Sequence, residues 1–200
     1  MAISSIKNKT SGRKLLVGNT SWPLNSANTD FESIATVTVG SGGAATATFS
    51  SIPNTYTHLQ VRGIARVDNT GTVGNDNVEA RFNSDTGSNY DFHYLYGNGS
   101  SAGAGNGTNQ TYMLCGKPSN ASATSGVFGG FVMDILDYAN TNKYKTVRVL
   151  TGIDNNGSGQ MFFNSNLWRN TNAIDTITFR YQSQNFVQYS HFALYGIKGA

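Results

Sequence analysis

The sequence predicts an all-β protein, an antiparallel β-sandwich or jelly roll of about ten strands preceded by an extended N-terminal arm. Apolar and polar residues alternate over many short segments, which is the pattern of strands with one buried face. Turn-forming segments rich in Gly and Asn separate these strands at intervals of roughly 8–12 residues, as in sandwiches and barrels. No segment sustains the 3.6-residue period of an amphipathic helix.

Residues 1–30 differ from the rest of the chain and are predicted to form a docking arm. Residues 1–29 hold four cations and no acid, whereas the remainder holds ten basic and eleven acidic residues. The arm carries more apolar residues than a disordered tail usually does, so we expect it to bind a protein surface. Alternatively, residues 15–17 form an edge strand of the body and Trp22 packs in its core. The candidate docking residues are Ile3, Ile6, Lys7, Lys9, Arg13, Lys14, Leu15, Leu16, Val17 and Trp22.

Residues 31–200 are predicted to be the sandwich domain, with strands and turns following one another along the chain. Residues 58–66 show the pattern clearly, because Leu59, Val61 and Ala65 point to one face and the polar residues between them point to the other. The predicted strands are 31–39, 44–52, 58–67, 77–82, 90–96, 111–115, 127–136, 144–153, 160–168, 174–182 and 185–197.

The sequence predicts the conformation of three segments that connect strands. The Gly, Asn and Ser stretch 97–109 is expected to be a loop that is flexible or ordered by a partner. Residues 137–143 are expected to be a loop with one helical turn at most. Residues 154–159, DNNGSG, predict a hairpin turn. They also match part of a calcium-binding EF-hand loop, but Ser165 occupies the position of its glutamate and no helices flank it, which favours the turn.

Aromatic residues alternate along 90–96, so that Tyr90, Phe92, Tyr94 and Tyr96 share one strand face. An exposed ladder of this kind could stack on sugars or bases, whereas a buried one belongs to the core or to a subunit interface, which we favour. Residues 127–136 are apolar on both faces and should be covered on both sides. The candidate subunit-interface residues are Phe128, Phe131, Met133, Tyr94 and Tyr96.

No catalytic, metal or cofactor site is predicted. A zinc site needs ligands at short spacings, but the histidines are far apart and lie in strand patterns; they are His58, His93 and His191. A glycosidase would need paired carboxylates. Asp134 and Asp137 instead flank a strand-to-turn corner, and Glu79 alternates with apolar neighbours as a solvent-facing residue would. None of the common catalytic or phosphate-binding motifs occurs, so we expect neither an enzyme nor a cofactor.

Composition limits the compartment and the partners. Only 12% of residues are charged, while aromatic residues reach 12%, which indicates a folded chain with neutral polar loops. Cys115 is the sole cysteine, which fits synthesis in a reducing cytoplasm. We expect no signal peptide and no membrane span. The net charge of −1 outside the arm disfavours a nucleic-acid groove there.

Three stretches carry a resemblance to a known group of proteins: FSSIPNTYTHLQVRG (49–63), ILDYANTNKYKTV (135–147) and FALYGIKG (192–199). They resemble structural proteins of tailed bacteriophages, found in virions as head decoration (cement) or fibre-like components. The similarity covers roughly residues 31–199 and excludes the arm. It implies a β-sandwich or jelly-roll body that assembles on a virion, often as a trimer, with the major capsid protein and further copies of the chain as partners. It brings no catalytic residues.

The leading hypothesis is therefore a capsid decoration protein, made in the host cytoplasm and located in the virion. It would bind and stabilise the phage head through its arm and its body. The alternative is a receptor- or glycan-binding tail-fibre module, indicated by the Asn- and Gly-rich loops and the tyrosine ladder. A polysaccharide-degrading enzyme is disfavoured because acidic residues are few and unpaired.

Overall fold

The computed structural model describes residues 13–17, 20–24, 30–73, 76–182 and 184–199 of the 200-residue chain. The described residues form fourteen strands and no helix, so the predicted all-β, sandwich-like class is confirmed. The chain divides into two compact units, Met1–Asp30 and Phe31–Ala200.

The first unit contains a short hairpin. β1 (Arg13–Val17) and β2 (Thr20–Leu24) pair antiparallel, with Leu15 opposite Trp22, and make a two-stranded sheet of their own. Four of the predicted docking residues lie outside the described residues: Ile3, Ile6, Lys7 and Lys9. The docking role of residues 1–30 stays a prediction.

The second unit consists of twelve strands, against the ten or so expected from the sequence. They are β3 (Phe31–Thr38), β4 (Thr46–Phe49), β5 (His58–Ala65), β6 (Val78–Phe82), β7 (Tyr90–Gly97), β8 (Ala102–Gln110), β9 (Met113–Gly116), β10 (Gly129–Leu136), β11 (Lys145–Asp154), β12 (Gly159–Trp168), β13 (Ile177–Arg180) and β14 (His191–Ile197).

These strands form two antiparallel sheets. The large sheet has the order β3-β14-β5-β10-β11-β12-β7-β8, and the small sheet has the order β4-β13-β6-β9. Strict alternation of buried residues along β5 and β11 gives the large sheet an inner and an outer face. The inner face packs on the small sheet, as shown by the ring centroids of Phe179 and Phe192, which are 5.3 Å apart, and of Phe82 and Trp168, which are 5.5 Å apart. This inter-sheet layer is the hydrophobic core.

Two cations organise loops at the ends of the sheets by binding backbone carbonyls. The fully buried Lys145 donates from Nζ to the carbonyls of Asn140, Lys143 and Thr171 at 2.6, 3.1 and 2.9 Å. The Arg66 guanidinium donates to carbonyls of the loop that precedes β10; its shorter bonds reach Ala123, Thr124 and Val127. Both charges therefore serve the fold, because each satisfies carbonyls that no strand partner reaches.

Residues 102–110 form strand β8, so the prediction of a loop over 97–109 is wrong for most of that segment. Three glycines of β8 lie opposite the aromatic residues of β7, in the pairs Phe92–Gly107, Tyr94–Gly105 and Tyr96–Gly103. A Cβ atom on Gly105 would lie 2.4 Å from the Tyr94 hydroxyl, and one on Gly103 would lie 2.6 Å from the Tyr96 ring. The rings can lie across β8 only because these positions are glycines. Packing of the rings on the glycines stabilises β8 as a strand, although its sequence has no apolar pattern.

Glu79 is buried and not solvent-facing as predicted, with 4% of its surface exposed. A β-bulge between Val78 and Glu79 interrupts the alternation of β6. Glu79 lies opposite Arg180 in the small sheet, and Arg180 Nη2 is 2.7 Å from Glu79 Oε2. The charge is therefore buried as a pair.

The hairpin turn predicted at 154–159 is confirmed. It joins β11 to β12, and the Asn155 amide donates to the Ser158 carbonyl at 2.6 Å. Asn156 and Gly157 have φ values of 51° and 106°, which suit the two central positions of such a turn. The Asp154 carboxylate accepts from the Asn156 amide at 3.0 Å, which is a capping role within the turn.

Candidate interaction surfaces

The outer face of the large sheet carries a row of apolar side chains in direct cross-strand register. Val132 of β10 lies opposite Leu150 of β11, which lies opposite Phe163 of β12, which lies opposite Leu95 of β7. Leu95 in turn faces Ala104 of the edge strand β8. All five side chains are exposed, and Leu150 and Leu95 have exposed fractions of 53% and 61%. Pairing of the strands thus aligns residues that are scattered along the chain.

A second row lies directly beside the first, and glycines dominate it. Ile64 of β5, Gly130, Gly152, Met161 and Gly97 follow one another across five strands. The glycines leave a shallow depression of about 530 Å³ between the exposed side chains of Ile64 and Met161. We call the two rows together the apolar band; its large side chains are Ile64, Leu95, Val132, Leu150, Met161 and Phe163.

The apolar band is large enough to act as the core of an interface. It crosses six strands from β5 to β8, or roughly 24 Å at ~4.8 Å per strand. Two rows of side chains over that length expose on the order of several hundred Å², a size at which the largest apolar patch on a monomer is often functional. A standard interface buries ~800 Å² on each partner, so the band would supply about half and a polar rim the rest.

Polar residues flank the apolar band along one side. The next row contains Gln60, Asp134, Arg148, Ser165 and His93 on successive strands. The Gln60 side-chain amide donates to Asp134 Oδ1 at 2.8 Å. An apolar centre with a hydrogen-bonding margin is the usual anatomy of a protein–protein contact.

The predicted subunit-interface residues do not lie together. Phe131 and Met133 are buried in the core. Because they occupy the inner positions of β10, their assignment to an interface is corrected, and Val132 and Leu136 are the exposed apolar residues of that strand. Phe128 precedes β10 and is half-buried; Tyr94 and Tyr96 are half-buried on the inner face of β7. A role of these three in a subunit contact stays a prediction.

The aromatic ladder of β7 changes from core to surface along the strand. Tyr90 is fully buried, whereas Tyr94 and Tyr96 are only partly buried. Phe162 of β12 lies opposite Tyr96, with ring centroids 5.3 Å apart and ring planes 21° apart. Tyr94 lies 5.6 Å from the same ring. These three rings form the aromatic platform, which rests on Gly103 and Gly105 of β8.

Lys117 is an unusual cation beside this platform. It is 7% exposed, and its Nζ lies 4.1 Å from the centroid of the Phe162 ring, a cation–π geometry. Burial lowers the pKa of Lys117 to about 8, since the nearby Asp76 opposes the shift only in part.

A polar recess of about 230 Å³ adjoins the aromatic platform at the tip of the sheet. Its polar lining comes from the two hairpin turns of β7–β8 and β11–β12 and includes Asn98, Ser100, Ser158 and Gln160. Gln160 lies two residues before Phe162 on the inner face of β12 and pairs with Ile153. The recess and the platform are therefore neighbouring rows of the same face.

The groups considered for catalysis remain dispersed. His58, on β5, accepts a hydrogen bond from the Asp137 amide at 2.9 Å through Nδ1, as a structural strand histidine does. His93 and His191 lie on β7 and β14. Among the described residues there is no group of three or more His, Cys, Asp or Glu side chains arranged to hold a metal ion. Cys115 is fully buried, and this burial raises its thiol pKa.

The part of the chain that the structure describes contains no helix long and apolar enough to cross a membrane. Comparison of the chain with protein-family models, with curated protein sequences and with solved structures finds no match.

Proposed function

We propose that the protein is a structural component of a bacteriophage virion, and specifically a capsid decoration protein. Its body associates with copies of itself as a trimer, and residues 1–30 form the arm that binds the major capsid protein. The apolar band carries this proposal, because a contiguous apolar row on the exposed face of a sheet gains stability only when another protein covers it.

The body is further proposed to be a jelly roll widened by two hairpins. When the hairpins β7–β8 and β11–β12 are set aside, the sheets read β3-β14-β5-β10 and β4-β13-β6-β9. Numbered along the eight remaining strands, these orders are 1-8-3-6 and 2-7-4-5, as two interleaved Greek keys require. Jelly rolls are common in viral capsid and lectin domains, which supports a virion role.

The neutral surface suits a contact that must hold outside a cell. Of the five exposed apolar residues in the first row, none has a charged cross-strand neighbour except Val132, which faces Arg62. The Arg62 guanidinium lies 5.5 and 5.7 Å from the centroids of the Phe31 and Tyr195 rings. These cation–π contacts engage its charge within the subunit. Binding that depends on apolar area is screened little by salt.

Self-association is tested with matched variants on two strands. Leu150→Gln and Phe163→Gln remove the apolar band at its centre. Arg148→Gln and Ser165→Gln, in the flanking polar row, are controls, because residues at the rim of an interface contribute little to its binding energy. Sedimentation velocity should show a trimer for the original chain and for both controls, and monomers for the two band variants. A monomeric original chain, or trimers in all four variants, would contradict the proposal.

Capsid binding is tested separately. The full chain and a chain lacking residues 1–24 are mixed with capsids of the encoding phage assembled without this protein, and bound protein is measured after pelleting. The full chain should bind and the truncated chain should not, although its circular dichroism stays that of a folded β protein. Unchanged occupancy by the truncated chain would reject the docking role of the arm. Absence of binding by the full chain would reject the function in capsid decoration.

A further inference from the structure

The inner face of β7 and β12 contains a surface that neither the core nor the apolar band uses. Tyr90 and Trp168 close one end of this face and are fully buried. Further along the same strands, the aromatic platform is partly exposed and leads into the polar recess at the hairpin tips. A protein whose inner face served only as core would bury this end as well.

We propose that the aromatic platform and the polar recess together form a binding site for an uncharged carbohydrate. The Tyr96 ring would stack on the C–H face of a sugar ring, and the side chains of the recess would bind its hydroxyl groups. This inference goes beyond virion assembly and does not depend on it.

The chemistry of the lining supports a sugar. Carbohydrates present C–H groups on one face and hydroxyl groups at the edge, so their sites combine aromatic rings with a few side chains that both donate and accept hydrogen bonds. Gln160 offers an amide, and Ser100 and Ser158 offer hydroxyls. The side-chain Oδ1 of Asn98 is already used, since it accepts from the Ser100 and Ser101 backbone amides at 3.0 and 2.7 Å.

The charges around the site favour an uncharged ligand over an acidic one. Among the described residues, none of the side chains that line the recess is charged. The nearest cation of the platform, Lys117, is almost fully buried with its ammonium 4.1 Å from the Phe162 centroid, so it is directed to that ring. An acidic sugar or a nucleic-acid phosphate would find no exposed cation among the lining residues that the structure describes.

The pleat of the sheet keeps this site separate from the proposed subunit contact. Gln160 and Phe162 point to the inner face of β12, whereas Met161 and Phe163 point to the outer face and belong to the apolar band. A subunit that covers the band therefore leaves the recess open, and sugar binding can be measured on the assembled protein.

The experiment uses the full chain on an array of neutral hexose and N-acetylhexosamine oligosaccharides, with sialylated and sulfated ones as the charged set. The best neutral ligand is then titrated by calorimetry against Tyr96→Ala, Gln160→Ala and Tyr96→Phe. The two alanine variants should weaken binding at least tenfold, and Tyr96→Phe, which keeps the ring, should change it less than threefold. Asn106→Ala and Thr108→Ala, exposed on the outer face of β8 and outside the apolar band, are controls that should leave the affinity unchanged.

Binding to no neutral oligosaccharide at millimolar concentration, binding to charged ones alone, or equal affinity in all variants would overturn the proposal. Thermal unfolding of each variant separates loss of binding from loss of folding. Gln160→Ala keeps the test decisive if Tyr96→Ala does not fold. Trimer assembly measured on the same samples is expected to stay intact in the Tyr96 and Gln160 variants, so the failure of one proposal does not imply failure of the other.

Discussion

The two faces of the large sheet are built from alternate residues of the same strands, yet their hydrophobic side chains meet different surroundings. Val149 and Trp168 point inward and are fully buried. Leu150 and Phe163, on the same two strands, point outward and are 53% and 45% exposed. Inner apolar residues therefore stabilise the folded chain by themselves, whereas outer ones contribute only when a second surface removes them from water.

The sharpest test of this difference uses two aromatic residues of β12. Trp168→Ala should lower the free energy of unfolding by about 3–5 kcal/mol, because it opens a cavity in the core. It also removes the indole hydrogen bond to Asp85 Oδ2, which is 2.8 Å long. Phe163→Ala should change the unfolding free energy of the monomer by less than about 0.5 kcal/mol while weakening association. Urea unfolding at low protein concentration measures the unfolding free energy of the two variants. Similar losses in both would refute the distinction between the faces.

Adjacent residues of β8 extend the comparison to an edge strand. Gly105→Ala places a methyl group 2.4 Å from the Tyr94 hydroxyl on the inner face. This overpacking should lower the free energy of unfolding by about 1–3 kcal/mol. Ala104→Val, on the exposed outer face, should be neutral or slightly stabilising, since β-branched residues suit strands. Thermal unfolding of the two variants checks this, and an unaffected Gly105→Ala would mean that the tyrosine does not rest on the glycine.

Lys117 is a charged residue buried against the inner face of the large sheet, next to the Phe162 ring. Its burial predicts that stability depends on pH. Its pKa in the folded protein is about 8, below the ordinary lysine value of 10.5. Between these values the unfolded chain binds a proton that the folded chain has released, so stability should rise with pH from about 8 to about 10.5. Below pH 8 both states are protonated, and the folded state bears the full cost of the buried charge.

Lys117→Met should therefore stabilise the protein at pH 7 by about 1–2 kcal/mol, after loss of the cation–π contact is subtracted. The variant should also lose most of the rise in stability above pH 8; the remainder comes from Lys145, whose pKa is also lowered by burial. Urea titrations at pH 7, 9 and 10.5 measure this, with the more exposed Lys143→Met as the control that keeps the rise. A parallel pH dependence in both variants would show that Lys117 is not the group responsible.

Most strands could be predicted because one periodicity determines them. In β5 and β11 alternate residues face the core, so the sequence period and the burial period coincide. The turn at residues 155–158 could also be predicted from the sequence, because Asn156 and Gly157 readily adopt the positive φ angles that it needs. Local rules sufficed in these places.

The failures occur where a contact distant in sequence replaces the local rule. β8 has no apolar pattern, and the rings of β7 that cross its glycines stabilise it as a strand. Glu79 follows a bulge and forms an ion pair with Arg180, which is distant in sequence. The alternation of Val78, Glu79 and Ala80 therefore could not predict that Glu79 is buried.

The candidate surfaces were predictable only in part. The sequence predicts an apolar outer face for residues 127–136, but it does not show that Phe131 and Met133 lie on the inner face. The rows that join Val132 to Leu150 and Phe163 depend on the register of three strands, which no single segment encodes. The tyrosine ladder was identified, whereas the recess beside it is made by two turns that meet only in the folded sheet.

The position of β14 has a consequence for biosynthesis. It is the last described strand, yet it lies inside the large sheet between β3 and β5, and its Phe192 and Leu194 are fully buried. Until residue 197 has left the ribosome, a nascent chain holds two strands whose shared neighbour does not yet exist. The large sheet therefore closes only after β14 has been made, and until then the exposed edges of β3 and β5 must be kept from pairing with other chains, for example by chaperones.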